Sequence, residues 1–348
     1  MAVRFASVFL GAALALSASP LFAADAKPSV VIYATGGTIA GSSASSTDTT
    51  DYDAGKLGIE TLIKAVPELS QVATVTGEQL ANMPSQDMDQ KTLLKLSKMI
   101  NEKFKDPAVH GVVVTHGTDT LEETAFFLDL TVNSKKPVVI VGAMRPATAV
   151  GADGPMNLLE AVSLAANDKA NGRGTMVVLN DRISSAFYAT KTNSTTPDTF
   201  RAAEQGYLGG FVGITPRFYY SPAIPTGKMS FDVSKEESLP KVVILYSYQD
   251  QDSALLDAAI KDGAKGIVIA GMGNGSIPTR TKATVKKLME QGIPVIRSTR
   301  TGSGFVSKKE EGIGSGFFSP QKSRILLSLA LASGADMAAI ERYFGMVE

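Results

Sequence analysis

At 348 residues, 44% hydrophobic and 20% charged, the chain has room for two ordinary domains with sizeable cores. Lys plus Arg equal Asp plus Glu at 34 each, so no net field draws nucleic acid or an anionic membrane. The lack of cysteine excludes a thiol nucleophile, a disulfide and a thiolate metal site, and the two histidines, His110 and His116, give a His-rich metal site too little material. A Ser–His–Asp triad would have to use one of those two. Otherwise a hydrolase built from this chain must activate its nucleophile with carboxylate, lysine or tyrosine.

Residues 1–26 read as a secretory signal peptide. Arg4 supplies the positive start, residues 5–16 an Ala-rich apolar stretch, and Ala24-Asp25-Ala26 the small residues near a cleavage point between Ala23 and Ala26. The apolar stretch is short for a membrane span, so the mature chain is expected to be exported and free of the membrane. It opens on residues 30–41, VVIYATGGTIAG, a short β-branched run of the kind that forms a buried strand. Gly36 and Gly37 then let the backbone turn sharply and pass close to a ligand. Thr38 follows at the mouth of the strand, where open α/β sheets collect their ligands. The Ser/Thr-rich run 42–50 has no apolar anchor and is bounded by Gly41 and Gly55, the composition of a passive loop or of a lid. Tyr52 is the one aromatic in it, either a packing residue or a phenol within reach of Thr38.

The pattern then predicts a helix over 58–66, a strand near 71–76 and an amphipathic helix over 88–104, with Ser85 as its N-cap. A cap also leaves free N–H groups that attract carboxylates, so Ser85 and Gln86 have a second use as anion holders. Residues 111–120, GVVVTHGTDT, repeat the first design: an apolar run, then Gly117, Thr118 and Asp119. Two parallel strands ending in Gly-Thr can bring two hydroxyls to one crevice. Helices over 120–132 and 153–167 alternate with strands over 137–142 and 174–180, which predicts a parallel, doubly wound sheet. Lys191 sits in a polar stretch without period; a lone loop lysine is ordinarily a surface charge, and base work requires burial.

Residues 221–240, with three prolines and mixed charges, read as an interdomain linker. Beyond it, strands over 241–246, 266–270 and 293–298 alternate with helices near 253–262 and 281–291, and two amphipathic helices over 320–332 and 336–344 should cap the smaller domain. The turn GMGNG at 271–275 lacks the full dinucleotide-binding spacing and reads as a structural turn. The expected fold is α/β: a larger N-terminal, mostly parallel, doubly wound domain over 27–220 and a smaller C-terminal α/β domain over 241–348.

The segments TGGTIAG and THGTDT, in this order, are the two signatures of the bacterial L-asparaginase family with its glutaminase-asparaginase branch, and the chain resembles that family over nearly all its length after residue 28. The resemblance implies hydrolysis of free L-asparagine, and to some degree L-glutamine, with no metal or cofactor. It also implies a periplasmic homotetramer with sites between subunits. It puts a nucleophile at Thr38, the catalytic tyrosine at Tyr52, and a second catalytic group at Thr118, Asp119 and Lys191. Substrate binding falls to Gly37, Ser85, Gln86, Gly117 and Asp119.

On residue chemistry alone, Asp119 suits a substrate ammonium and Ser85 its carboxylate. An acyl-enzyme on Thr38 and direct water attack assisted by Thr118 stay equally open. Two departures stand out. Asp250 occupies the position where asparagine-selective members carry Asn, which resembles members with more glutaminase activity. The segment 300–316 is short, leaving Glu310 or Glu311 for the glutamate that reaches a neighbour's lid. The contrasting expectation, an exported amino-acid-binding protein, would use Ser85, Gln86 and Asp119 and be indifferent to Thr38 and Lys191.

Overall fold

The computed structural model describes residues 27–345, and the expected signal peptide over 1–26 lies outside them. Near-continuous Val/Ile runs form strands buried on both faces, as parallel sheets covered by helices require. In β1 (Ser29–Gly36), Val31 and Tyr33 enter one core cluster, while Val30, Ile32 and Ala34 enter the other. That is the two-residue alternation of a strand between two helical layers.

The chain continues through α1 (Ile59–Ala65), the single turn α2 (Leu69–Val72), β2 (Thr74–Met83), α3 (Gln90–Lys103), β3 (Val109–Thr115), α4 (Leu121–Thr131), β4 (Val138–Val141), α5 (Gly154–Ala165) and β5 (Thr175–Leu179). Four short strands follow, β6 (Arg182–Ser185), the two-residue β7 (Thr190–Lys191) and β8 (Phe200–Arg201), and β9 (Gly209–Val212), then β10 (Thr215–Phe218). The large sheet has the order β10-β9-β6-β5-β4-β3-β1-β2. Strands β2, β1, β3, β4 and β5 are parallel, and β6, β9 and β10 extend the sheet antiparallel.

The smaller domain is built from β11 (Val242–Tyr246), α6 (Ala254–Lys261), β12 (Gly266–Gly271), α7 (Thr279–Glu290), β13 (Val295–Thr299), β14 (Ile313–Gly314), α8 (Pro320–Ala332) and α9 (Met337–Phe344). Its four strands are parallel in chain order. The mixed α/β architecture expected from the sequence is therefore present: a large, mostly parallel sheet and a smaller parallel one.

Four local expectations are corrected. The segment 71–76 is the end of α2 followed by the start of β2, because β2 is largely exposed and polar and so lacks an apolar signature. Ser85 does not cap α3; it lies in a single 3-10 turn (Ser85–Asp87), and Asp89 caps the helix by accepting from the Thr92 N–H at 2.7 Å. The antiparallel strands β6, β9 and β10 went unread because pieces of four residues are too short to show a period. Finally, α8 is not an outer cap with one apolar stripe. It is buried on nearly every side, packed between α4 of the large domain and β11, β12 and β13 of the small one. A single core cluster runs from Tyr33 and Phe126 through Leu326 and Leu327 to Val268 and Ile296, joining the two sheets. The linker shares in it, since Met229, Phe231 and Val233 are buried there and the Phe231 N–H donates to the Leu130 carbonyl.

One core group is chemically out of place. Glu160, in the middle of α5, is fully buried, and among the described residues neither carboxylate oxygen has a hydrogen-bond partner. Burial, reinforced by the neighbouring Asp181, pushes its pKa up to about 8. A carboxyl raised in the folded state favours folding below its unfolded value and loses that contribution as pH climbs through its folded one. Glu160→Gln removes this dependence. Thermal melts should show the stability of the variant, relative to wild type, rising steadily from about pH 5 to about pH 9. Parallel curves across that range would show that Glu160 is ionised in both states.

Candidate active site

The site grows from the carboxyl ends of β1 and β3, neighbours in the sheet paired from Val30↔Gly111 to Ala34↔Thr115. The Thr35 hydroxyl crosses this boundary to the Thr115 carbonyl at 2.9 Å, tying the two strand ends together. Beyond them the chains touch. A Cβ on Gly37 would stand 2.3 Å from both the Cα and the N of Gly117, so two backbones meet where any side chain would collide. Gly37 also holds φ +81°, a conformation that costs other residues strain. Each glycine is followed by a threonine, so the contact brings Thr38 and Thr118 to the same end of the sheet.

Two hydroxyl-centred groups result. Thr38 is 5% exposed, and its hydroxyl lies 2.6 Å from the Tyr52 hydroxyl. Tyr52 is delivered by the loop over 42–53, closed at its base by paired backbone bonds between Ser42 and Asp53 and strapped to the next loop by bonds such as Val150 N–H to the Ser46 carbonyl. The second group is built on the start of α4. Thr118 is buried and Asp119 exposed, and the Lys191 ammonium donates to the Thr118 hydroxyl at 3.0 Å and to the Asp119 carboxylate at 2.7 Å. The Lys191 side chain is only 15% exposed against 67% for Asp119, so the lysine faces inward while the acid keeps a free edge for a ligand.

Ser85 arrives by a different route. The end of β2 abuts that of β1, where the Gly37 N–H donates to the Met83 carbonyl. Two residues on, Ser85 is buried against Gly117, with its hydroxyl accepting from the Thr120 N–H at 3.3 Å and its carbonyl from the Thr120 hydroxyl at 2.7 Å. Gln86 beside it is exposed. The structure thus gathers Gly37, Thr38, Tyr52, Ser85, Gly117, Thr118, Asp119 and Lys191 around one end of the large sheet.

Asp250 and Glu311 are not joined to that cluster within the chain. Asp250 follows β11 at φ +65° and pairs with Arg280 at 2.7 Å. Glu311 pairs with Lys282 at 2.5 Å, which together with Arg297 holds its carboxyl below the usual range, and Glu310 is exposed. The turn after β12 is closed on itself by Met272–Ser276 backbone bonds, and the buried Arg297 donates to its Gly275 carbonyl.

Four residues have supporting roles that the sequence did not show. His116 is fully buried; its Nδ1–H donates to the Gly117 carbonyl at 2.7 Å and its Nε2 accepts from the Thr124 hydroxyl at 2.9 Å. Burial pulls its pKa down to about 4, so it is a neutral brace for the Gly117 turn rather than a base. His110 lies at the far end of β3, beside Ser29. Neither histidine forms a triad with a serine and an aspartate, which leaves the carboxylate, Tyr and Lys options. Glu122, in the first turn of α4, accepts from the Thr190 hydroxyl and the Lys191 N–H. Lys322 on α8 donates to the carbonyls of Ala186, Phe187 and Ala189, and burial pushes its pKa down to about 8 against the pull of Glu122 and Asp129. Gln321 beside it donates to Glu122. A first-turn acid and an α8 Gln-Lys pair look like ordinary helix residues in sequence; only the fold shows what they hold.

Both parts of the chain match known proteins. Residues 29–224 match the family model "Asparaginase, N-terminal" and residues 241–344 the model "Glutaminase/Asparaginase C-terminal domain". The chain is 51% identical to L-asparaginase 2 of Bacillus subtilis, over 91% of this chain and 86% of that protein. It is 44% identical to a probable periplasmic L-asparaginase of Haemophilus influenzae, over 91% and 92% of the two chains. A crystal structure of a probable cytoplasmic L-asparaginase from Campylobacter jejuni superposes with a TM-score of 0.88 at 45% identity, covering 92% of this chain and all of that one.

The glycine contact makes a graded prediction. In Gly37→Ala the new methyl meets fixed backbone and adopts a disfavoured φ, whereas in Gly117→Ala it meets the Ser85 side chain at 2.8 Å. Urea unfolding should show both variants destabilised by about 1–3 kcal/mol or more, with Gly37→Ala the worse. Equal midpoints for either variant and wild type would show that the two loops part easily.

Proposed function

The chain belongs to the asparaginase family and is an L-asparaginase amidohydrolase, and we propose that it works through Thr38 and Thr118 on free L-asparagine, with L-glutamine as a second substrate. The observation that carries this reading is the pair of hydroxyl groups with separate proton partners, Thr38 with Tyr52 and Thr118 with Lys191, on two loops in backbone contact. In the proposed course the Thr38 oxygen attacks the side-chain amide carbon as its proton passes toward Tyr52. Tyr52 hands a proton on to the departing nitrogen, which leaves as ammonia. Water held beside Thr118, whose hydroxyl Lys191 orients, then attacks the Thr38 ester, its proton returns to the Thr38 oxygen, and aspartate is released. Asp119 offers its exposed carboxylate edge to the substrate ammonium, and Ser85 with the Gly117 turn receives the α-carboxylate. Recognition of both α-groups limits the enzyme to free amino-acid amides.

Three finer readings accompany it. Glutaminase activity rests on Asp250, an acid at the position where the family resemblance implies Asn in asparagine-selective members. A tetramer with shared sites fits Asp250 and Glu311, which stand on the small domain apart from the threonines, and the exposed Tyr246 and Tyr248 that precede Asp250 in the chain. Export to the periplasm fits the leader-like residues 1–26 and the relative named periplasmic; the amino-terminal sequence of the mature protein tests it.

Ammonia release from L-asparagine should fall by about 10³-fold or more in Thr38→Ala while substrate binding, followed by calorimetry, persists. Wild-type protein that binds the amide yet liberates no ammonia would instead favour a binding protein. Asp250→Asn should raise the asparagine-to-glutamine ratio of kcat/KM, and an unchanged ratio would remove Asp250 from specificity.

A further inference from the structure

The strand that carries Lys191 has little to hold it by itself. Strand β7 is two residues long and pairs only with the two residues of β8, through Thr190↔Arg201 and Lys191↔Phe200. Such a ladder is marginal in water. The polar stretch that follows, 192–196, is exposed. Yet the Lys191 ammonium must reach two acceptors on a different element, the segment Thr118-Asp119 that opens α4.

The connection is made by one carboxylate. Glu122 is 3% exposed and lies four residues after Thr118 in the same chain segment. One of its oxygens, Oε2, accepts both the Thr190 hydroxyl and the Lys191 backbone N–H at 2.5 Å. The other, Oε1, accepts the Gln321 amide at 2.7 Å from α8. The adjacent Lys322 takes the carbonyls of Ala186, Phe187 and Ala189, the residues that lead into β7. Glu122 therefore grips β7 from the element that presents Thr118 and Asp119, and α8 locks Glu122 in place.

We propose that Glu122, braced by Gln321, is a positioning residue for the reaction: it sets the reach of Lys191 to Thr118 and Asp119 without itself touching substrate. This rests on the threonine-based reading above. A residue that only stabilised the fold would affect activity through the amount of folded enzyme and would act independently of Lys191. A positioning residue acts through Lys191 and so lowers kcat rather than substrate binding.

The test is steady-state ammonia release from L-asparagine, with melting temperatures recorded for each variant. Glu122→Ala should lower kcat by about 10–100-fold with KM within about twofold. Glu122→Gln keeps an oxygen for the Thr190 hydroxyl and the Lys191 N–H, while Gln321 can turn its own carbonyl to the new amide, so it should recover most of the lost kcat. Added to Lys191→Met, Glu122→Ala should cost nothing further, because the group it positions is gone. Full multiplicative loss in the double variant, or wild-type kcat in Glu122→Ala, would overturn the proposal. If Glu122→Ala does not fold, Gln321→Met, at a half-buried helix position, serves instead: a several-fold lower kcat at constant KM supports the proposal, and unchanged kcat overturns it. Full activity in Lys191→Met would refute the threonine–lysine reading itself, an outcome distinct from failure at Glu122.

Discussion

The arrangement at one end of the large sheet depends on two backbones being allowed to touch. Gly37 and Gly117 end turns on neighbouring parallel strands, and only hydrogen in place of a side chain lets them meet. The rest of the site is arranged about that point. His116 braces the Gly117 turn from below, Met83 holds the Gly37 turn from the side, and Ser85 fills the space against Gly117. The two threonines then sit one residue past the contact, buried, with their hydroxyls held by Tyr52 and Lys191.

Burial sets the polar groups apart. His116 is enclosed, and its pKa falls to about 4. Asp119, paired with Lys191, keeps an open edge. Lys322 is the costly case, since an ammonium in full burial is offset only by three carbonyls and the nearby carboxylates of Glu122 and Asp129. That expense is intelligible because the carbonyls belong to the approach to Lys191, a segment that two-residue strands cannot fix alone.

The sequence made the frame legible where apolar runs were long and uninterrupted. Strands such as β1, β3 and β4 and helices such as α3 to α5 fell within a few residues of where periodicity put them. The glycine–threonine repeat told where two strand ends would meet, because a turn that must come close to something announces itself by lacking side chains. What stayed hidden were features defined by distant partners. The exposed strand β2 and the short antiparallel strands carry no period, the cap of α3 proved to be Asp89 rather than Ser85, and α8 looked like a surface helix until its second partner was known. Glu122 is the sharpest case: in sequence it is an acid in a helix's first turn, and nothing local records that its hydrogen-bonding partners lie about 70 and 200 residues away.

The burial of α8 between the two sheets has a consequence for modularity. The chain reads as two family segments joined by a linker, an arrangement that invites exchange of one half between relatives. Yet the second half supplies Gln321 and Lys322, which clamp a loop of the first, and Leu326 and Leu327, which complete its core. A hybrid cut at the linker would inherit a lysine loop from one ancestor and its clamp from another. The unit that keeps these contacts intact is the pair of halves together.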